Sequence, residues 1–490
     1  MLKRIPYTLA FLIIALYVMM GPLQPYLLET GQLTPFLTTP VFFRETLIAS
    51  SWGLFYYVAW FLQACMVKPW VGALLLVTLL TAIAYATRWV LRVSDTWFGL
   101  CWIIPFFFLS TYTEIGYEIY VSKKPAFVFF VVTPVLLGLL LVGSIRWLWI
   151  LLKHQHDVRQ GKTRQRFSRS ANLASYVLSI VVFAAMGYYF WGKTYQDLTF
   201  FNILEMKQAA ERNDWQRVLA LARENKAVPT RLQVCLTRLA LYKTGQMGDQ
   251  LFAYPEGSAN YNAPVQRQWL RLIGAPLLYY HYGKLGFAYR WAMEDIVEYG
   301  MRPADLRILH RVAMLNGEET LAEKYAKALQ HTLFYHDEGT RIKQEAQTIR
   351  PLLNYTDQLD GDDGLVEFYL LQSFALTDGG SREMVELSLM CSLITKQLDG
   401  FWPRFMALLP TWKEGIPRHY QEAALMITQL QGGMETSQLP ISDEVRQRFD
   451  RLVEASAQLG DDASNAYRLR PEFGDTYWYY YFFVEGMKTN

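Results

Sequence analysis

An all-α chain in two parts is what this sequence predicts: an N-terminal bundle of about six transmembrane helices over residues 1–192, then an α-solenoid of helical repeats. Three observations carry that expectation. Only 19% of the 490 residues are charged, against about 25% in an ordinary soluble chain, while 52% are hydrophobic and 15% aromatic. Charge is unevenly placed, with 15 Lys/Arg against 6 Asp/Glu in residues 1–192 and 32 against 38 in the remainder. Charge-free runs of spanning length occur before residue 192 and not after residue 197. The same composition excludes disorder and collagen-like structure, and four Cys in this length cannot form a disulfide scaffold. The acidic balance of the second part argues against nucleic acid as a partner, because a phosphate backbone needs a basic face.

The expected spans are Ile5–Leu23, Leu47–Val67, Pro69–Thr87, Thr96–Thr113, Pro125–Ile145 and Ala171–Trp191. Each of these runs has roughly the length that crosses a hydrocarbon core of ~30 Å at about 1.5 Å per helical residue. A buried soluble helix would be shorter and would show a polar stripe. Thr96–Thr113 is the weakest, because Pro105 interrupts its hydrogen-bond ladder and suggests a tilted or re-entrant segment. Lys3 and Arg4 precede the first run, which has no small-x-small cleavage site and continues to Leu23, as an uncleaved signal anchor would. Aromatic residues such as Trp52, Trp70, Trp89, Trp147 and Trp191 cluster near span ends, the depth that amphipathic rings favour. The lipid bilayer is thus the first expected partner.

Loop charge sets the expected orientation. With six spans, Lys3, Arg4, Lys68, Lys123, Lys124 and Lys193 share one side. Arg44, Arg88, Arg92, Arg146 and the basic loop Lys153–Arg169 share the other, which is then cytoplasmic. The part after residue 192 would lie outside the cytoplasm, in the periplasm of a bacterial inner membrane. Lys3 and Arg4 conflict with this count unless Thr96–Thr113 does not cross. The basic loop reads as topogenic, and its His154 and His156 lack a third metal ligand. The Pro-broken loop 24–46 suits a segment lying in the interface and holds Glu29 and Glu45. A polytopic transferase of lipid-linked sugars would place an acid in such a loop, although lone carboxylates are usually solvated.

After residue 197, apolar residues recur at intervals of three and four. "NGEETLAEKYAKAL" (316–329) places Ala322 and Ala326 five and nine residues after a turn glycine, Gly317. "YGKLGFAYRWAMEDI" repeats this with Gly283, Ala288 and Ala292, one 34-residue period earlier. Asn213, Val218 and Ala222 match more loosely, and Gly245 marks a degenerate unit between. Small residues at these positions let paired helices approach, so residues 197–350 are expected to form a tetratricopeptide-like α-solenoid. Residues 351–490 are expected to be a further helical region, with an aromatic tail (Phe473–Phe483) packed back as a cap. The acidic run holding Asp357, Asp360, Asp362 and Asp363 lacks calcium-loop order and reads as a solvated turn.

No Walker loop, G-x-S-x-G, G-x-G-x-x-G or H-E-x-x-H occurs. No catalytic, cofactor-binding or metal-binding residue is therefore expected. Cys65 and Cys101 fall inside spans, Cys235 and Cys391 read as buried thiols, and His310, His331, His336 and His419 show no ligand spacing.

The segments "GQLTPFLTTPVFF", "FLQACMVKPWVGALLL", "LALYKTGQMGDQLFAY", "LAEKYAKALQHTLFYH", "PRHYQEAAL" and "FGDTYWYYYFF" give the chain a wider likeness. It resembles polytopic inner-membrane proteins of Gram-negative bacteria with a tetratricopeptide-like C-terminal half, a domain-of-unknown-function family. That resemblance implies an envelope location and no particular reaction. Two functions remain in view: a membrane-anchored protein-interaction scaffold whose repeats bind a protein or peptide, and a membrane transferase acting on a lipid-linked substrate with the repeats as accessory.

Overall fold

The computed structural model of the chain describes residues 4–157, 169–257, 263–335, 345–353, 367–431, 436–459 and 465–485. Among these residues every regular element is helical and none is a strand. The chain divides into two compact units. The first comprises Met1–Phe201, Asp295–Arg307 and Glu323–Asp337, and the second Asn202–Glu294, Ile308–Ala322 and Glu338–Asn490.

The first unit begins with α1 (Ile5–Met20), α2 (Gln24–Gln32), α3 (Pro40–Ala49) and α4 (Gly53–Ala64). It continues with α5 (Pro69–Leu91), α6 (Ile103–Glu114), α7 (Lys124–Asp157) and α8 (Arg169–Lys193). The sequence predicts six spans, but among the described residues only three helices are long and apolar enough to cross a membrane: Pro69–Leu91, Lys124–Trp149 and Leu173–Lys193. A fourth arises if α1 and α2, which meet at a 72° bend, count as one broken span.

The correction lies in where the backbone breaks, which apolar content does not reveal. Leu47–Val67 is split by the extended Ser50, and α3 and α4 fold on each other as a hairpin. Gly53 permits this, since a Cβ there would stand 2.2 Å from the Thr46 carbonyl oxygen. Thr96–Thr113 starts as a 3-10 turn at Phe98–Trp102 and becomes α-helical at Ile103. Pro105 then lies in the first turn of α6, where its missing N–H breaks no bond. The expected interruption is instead a helix start.

Contacts assign the helix termini to two ends of this bundle. At the first end Arg4 and Arg88 both hold Asp95, at 2.7 and 2.8 Å, and Arg146 donates to the Val90 carbonyl at 2.5 Å. At the second end the Tyr195 N–H bonds the Thr113 carbonyl at 2.9 Å, Lys193 reaches Glu114 at 3.3 Å, and Tyr26 donates to the Tyr112 carbonyl at 3.2 Å. Accordingly α1, α5, residues 98–114, α7 and α8 each run from one end to the other. The 3-10 and α turns of residues 98–114 give it a rise of about 28 Å. The α3–α4 hairpin does not make the passage. Phe36 meets Phe61 at one limb of it, Thr46 meets Gly53 at the tip, and α4 packs along α7.

The second unit draws on α9 (Leu198–Glu211), α10 (Trp215–Glu224), α11 (Arg231–Lys243), α12 (Met247–Gln250), α13 (Pro264–Trp269), α14 (Ala275–His281), α15 (Leu285–Tyr299), α16 (Pro303–Asn316) and α17 (Glu319–Gln330). Four helix–turn–helix joints share one geometry. Asn213, Gly245, Gly283 and Gly317 have φ of 58°, 68°, 74° and 76°. At each, that residue's N–H bonds the carbonyl three residues back (Ala210, Tyr242, Tyr280, Met314). The next N–H bonds the carbonyl five back (Ala209, Leu241, Tyr279, Ala313), and the new helix starts one residue later. This is the Schellman arrangement, which needs a left-handed residue and so favours Gly or Asn. Val218, Ala288 and Ala292 are fully buried and Ala322 nearly so, while Ala222 and Ala326 are half-buried.

The chain ends in α18 (Glu367–Ala375), α19 (Arg382–Ile394), α20 (Phe401–Leu408), α21 (Arg418–Gln431), α22 (Asp443–Leu459), α23 (Asn465–Phe473) and α24 (Tyr477–Phe483). The aromatic tail is α24, packed on α21 and α23 with Tyr477, Trp478, Tyr479 and Tyr480 buried. Trp478 donates its indole N–H to the Glu422 carbonyl and Tyr480 its hydroxyl to that of Ile394, both at 2.6 Å.

Candidate functional site

The first unit holds a cleft of about 430 Å³ at its second end. Its floor follows from a local packing choice. Gly31 lets α2 press onto the 3-10 turn Cys65–Val67, since a Cβ there would lie 2.3 Å from the Val67 nitrogen. That contact carries Thr30 and Thr34 to the cleft wall beside Trp60 and Gln63 of α4. Ser122 and Lys123, just ahead of α7, and Tyr299 and Arg302 complete the polar lining.

Behind this wall runs a buried polar network. Gln63 donates through Nε2 to the Tyr112 hydroxyl at 3.1 Å, and Thr30 meets the same hydroxyl at 3.2 Å. Glu29, fully buried, accepts from the Tyr120 hydroxyl at 2.8 Å. Arg302, 3% exposed, is shared by Asp305 at 2.6 Å and Asp295 at 2.5 Å. Burial pushes the Asp295 carboxyl up to about 6, because Asp305 takes part of the guanidinium that would otherwise hold it down.

The second unit holds a smaller cleft of about 390 Å³, lined by Gln233, Thr237 and Arg238 of α11 and by Tyr254 and Glu256. Two arginines one heptad apart on α11 meet Glu367 here. Arg231 donates to both its oxygens at 2.7 and 2.6 Å, and Arg238 donates to it at 2.6 Å and to Glu256 at 2.5 Å. Burial pushes the Glu367 carboxyl up, but the two guanidinium groups outweigh it and hold the carboxyl below its ordinary range. A second buried carboxylate, Glu345, accepts from Asn213 at 2.8 Å and from Tyr280 at 2.7 Å and lies 3.6 Å from Arg311. One side chain thereby ties together the Asn213 turn, α14 and α16.

Of the residues singled out by sequence, Glu29 is buried beside the first cleft and Glu45 is exposed on α3. Cys65, Cys101, Cys235 and Cys391 are free thiols and buried, and burial pushes Cys391 up to about 12. His419 is enclosed against Glu422 at 2.9 Å, and His310 Nδ1 lies 2.9 Å from the Ala322 carbonyl oxygen. His331 is exposed, and its carbonyl accepts the Thr38 N–H at 2.8 Å. His336, the acidic run Asp357–Asp363 and the side chains of His154 and His156 lie outside the described residues. Among the described residues no group of three His, Cys, Asp or Glu could hold a metal ion. Sequence reading passed over Arg231, Arg238, Glu256, Glu367 and Glu345. The available signal was two arginines seven apart on a helix whose other residues are largely apolar.

A family model matches residues 113–484, under the description "Family of unknown function". No curated protein and no solved structure matches the chain.

Proposed function

We propose that this chain, which belongs to the family of unknown function DUF6057, is a membrane-anchored protein-interaction scaffold of the bacterial cell envelope. The observation that carries this reading is the recurrence of one turn geometry at Asn213, Gly245, Gly283 and Gly317. Repeated helical hairpins of tetratricopeptide-like kind stack into solenoids, and solenoids present extended surfaces suited to a protein or peptide. The setting is the inner membrane of Gram-negative bacteria. The first end of the bundle carries Arg4, Arg88 and Arg146 and leads into the basic sequence 153–169, which makes it the cytoplasmic end under the positive-inside rule. Lys193 is at the other end, so the chain beyond it is periplasmic. On this reading Arg4 and the basic sequence 153–169 share an end, and Leu47–Val67 does not cross, so Lys3 and Arg4 do not oppose the orientation. The test is crosslinking in native membranes, then affinity capture of the full chain and mass spectrometry. A protein enriched over an unrelated tagged polytopic control is expected, and absence of any such protein refutes the scaffold.

A second reading, a transferase acting on a lipid-linked sugar or similar substrate with the helical repeats as accessory, is favoured by one observation. A buried carboxylate, Glu29, stands on a phenol, Tyr120, next to a cleft at the periplasmic end. Loss of sugar transfer in Glu29→Gln with the bundle still folded would support it, and unchanged transfer would refute it.

A further inference from the structure

We propose that the cleft of the first unit binds the phosphorylated, hydroxyl-rich head group of a membrane lipid, the polyol against Gln63, Trp60 and Tyr299 and the phosphate on Lys123. The polar part of the argument starts at Gln63, which lines the cleft and is 1% exposed. Its Nε2 is committed to Tyr112, while its Oε1 has no hydrogen-bond partner among the described residues. A buried acceptor left open is costly and is rarely found in a folded protein unless something else fills it. A donor on the occupant would satisfy it. Thr34 spends its own hydroxyl proton on the Thr30 carbonyl at 2.8 Å, so it too offers lone pairs to the cleft, and Thr30, which donates to the Leu27 carbonyl and accepts from Tyr112, has one left.

The lining is therefore rich in acceptors, which selects a ligand with several O–H groups over a bare anion. Trp60 and Tyr299 supply flat apolar faces, against which the C–H face of a polyol ring packs while its hydroxyls reach sideways.

The charge balance adds a single phosphate. Arg302 is taken by Asp295 and Asp305, and Lys124 by Glu118. Lys123 stands exposed at the cleft without an acidic partner among the described residues. It precedes α7, whose residues 124–149 are apolar enough to span a bilayer, so the phosphate would sit at head-group depth. Phe127 is 54% exposed one turn further on, and Leu137 and Leu141 continue an exposed apolar track along α7 on which acyl chains can lie. The site stands whether or not any group is transferred, so it does not depend on the transferase reading.

The test is native mass spectrometry of the full chain in detergent, with dioleoyl phosphatidylinositol, dioleoyl phosphatidylcholine and free inositol 1-phosphate as probes. Phosphatidylinositol should be retained over phosphatidylcholine by about tenfold. Phosphatidylcholine shares the phosphate and tails but has no hydroxyl to satisfy Gln63. Gln63→Leu should abolish that preference, and Arg92→Ala, on the loop after α5, should leave it intact. Lys123→Ala should lower retention of phosphatidylinositol. Equal retention of the two lipids overturns the proposal, as does a preference that survives Gln63→Leu. If Gln63→Leu does not fold, the exposed Lys123→Ala decides, and unchanged retention there overturns the phosphate contact. Binding of free inositol 1-phosphate as tight as that of the lipid overturns the membrane source of the ligand. Because the readout is binding, absence of sugar transfer leaves this result untouched.

Discussion

Glu367 illustrates how much one buried charge can decide. Two arginines, each at most 2% exposed, converge on it, and α11 can be buried because this carboxylate, together with Glu256 on Arg238, neutralises them. Glu367→Gln keeps the shape and removes the charge, leaving the guanidinium groups short of a counter-ion. A loss of about 3–5 kcal/mol in denaturant unfolding of the full chain is expected. The pH dependence follows from the same contact. The carboxyl sits below its usual 4.5 in the folded chain, so its contribution is complete above pH 4.5 and is lost as pH falls through the lowered value. Wild type should therefore lose stability in acid more steeply than Glu367→Gln. Parallel acid curves for the two would show that the pair does not act this way. Ala322 makes the complementary case for size. It is 1% exposed, with its carbonyl oxygen 2.9 Å from His310, whereas Glu323 beside it is exposed. Ala322→Arg should cost roughly 3 kcal/mol or more, read as a lowered melting temperature, and Glu323→Arg should cost almost nothing.

At the scale of elements, left-handed turn residues and close backbone approaches set where helices stop. Gly317 has open space around it, so Gly317→Ala carries only the conformational penalty of a positive φ, about 1 kcal/mol. Gly283 has the same φ sign, but a Cβ there meets the Leu352 carbonyl oxygen at 3.0 Å. Gly283→Ala should cost clearly more, and equal melting temperatures for the two variants would contradict the close approach of Leu352 to Gly283. The α3–α4 hairpin follows the same logic. Gly53→Ala would drive a methyl into the Thr46 carbonyl, and Gly31→Ala would lift α2 off the Val67 backbone. Both should reduce the monodisperse fraction of the purified chain on size exclusion, while Gly138→Ala, with nothing near it, should not.

At the scale of the whole molecule, topology is the property most open to test. An alkaline phosphatase fused after Lys193 should be active and one inserted within residues 158–168 inactive. The reverse pattern would invert the bundle. Much of this architecture was legible in the sequence: composition identified the all-α class and the apolar half, and Gly283 and Gly317 marked their joints through spacing alone. These are local properties, because a Schellman turn needs only a left-handed residue and a helix on each side. The number of membrane-length helices was not legible. Leu47–Val67 is as apolar as a span, and it folds back because Ser50 is extended and Gly53 lets two backbones touch, which only the packed bundle reveals. The clefts were hidden for a related reason. Gln63 and Tyr112 are 49 residues apart, and Arg231 and Glu367 are 136 apart. Hydropathy and periodicity report which face of a helix is apolar, and carry no information on which buried polar groups will meet. Sequence by itself therefore determined the helical class, the apolar half and the turns. Tertiary structure alone decided which apolar runs pass through the bundle and which polar side chains share an enclosed space, because both depend on contacts between segments distant in the chain.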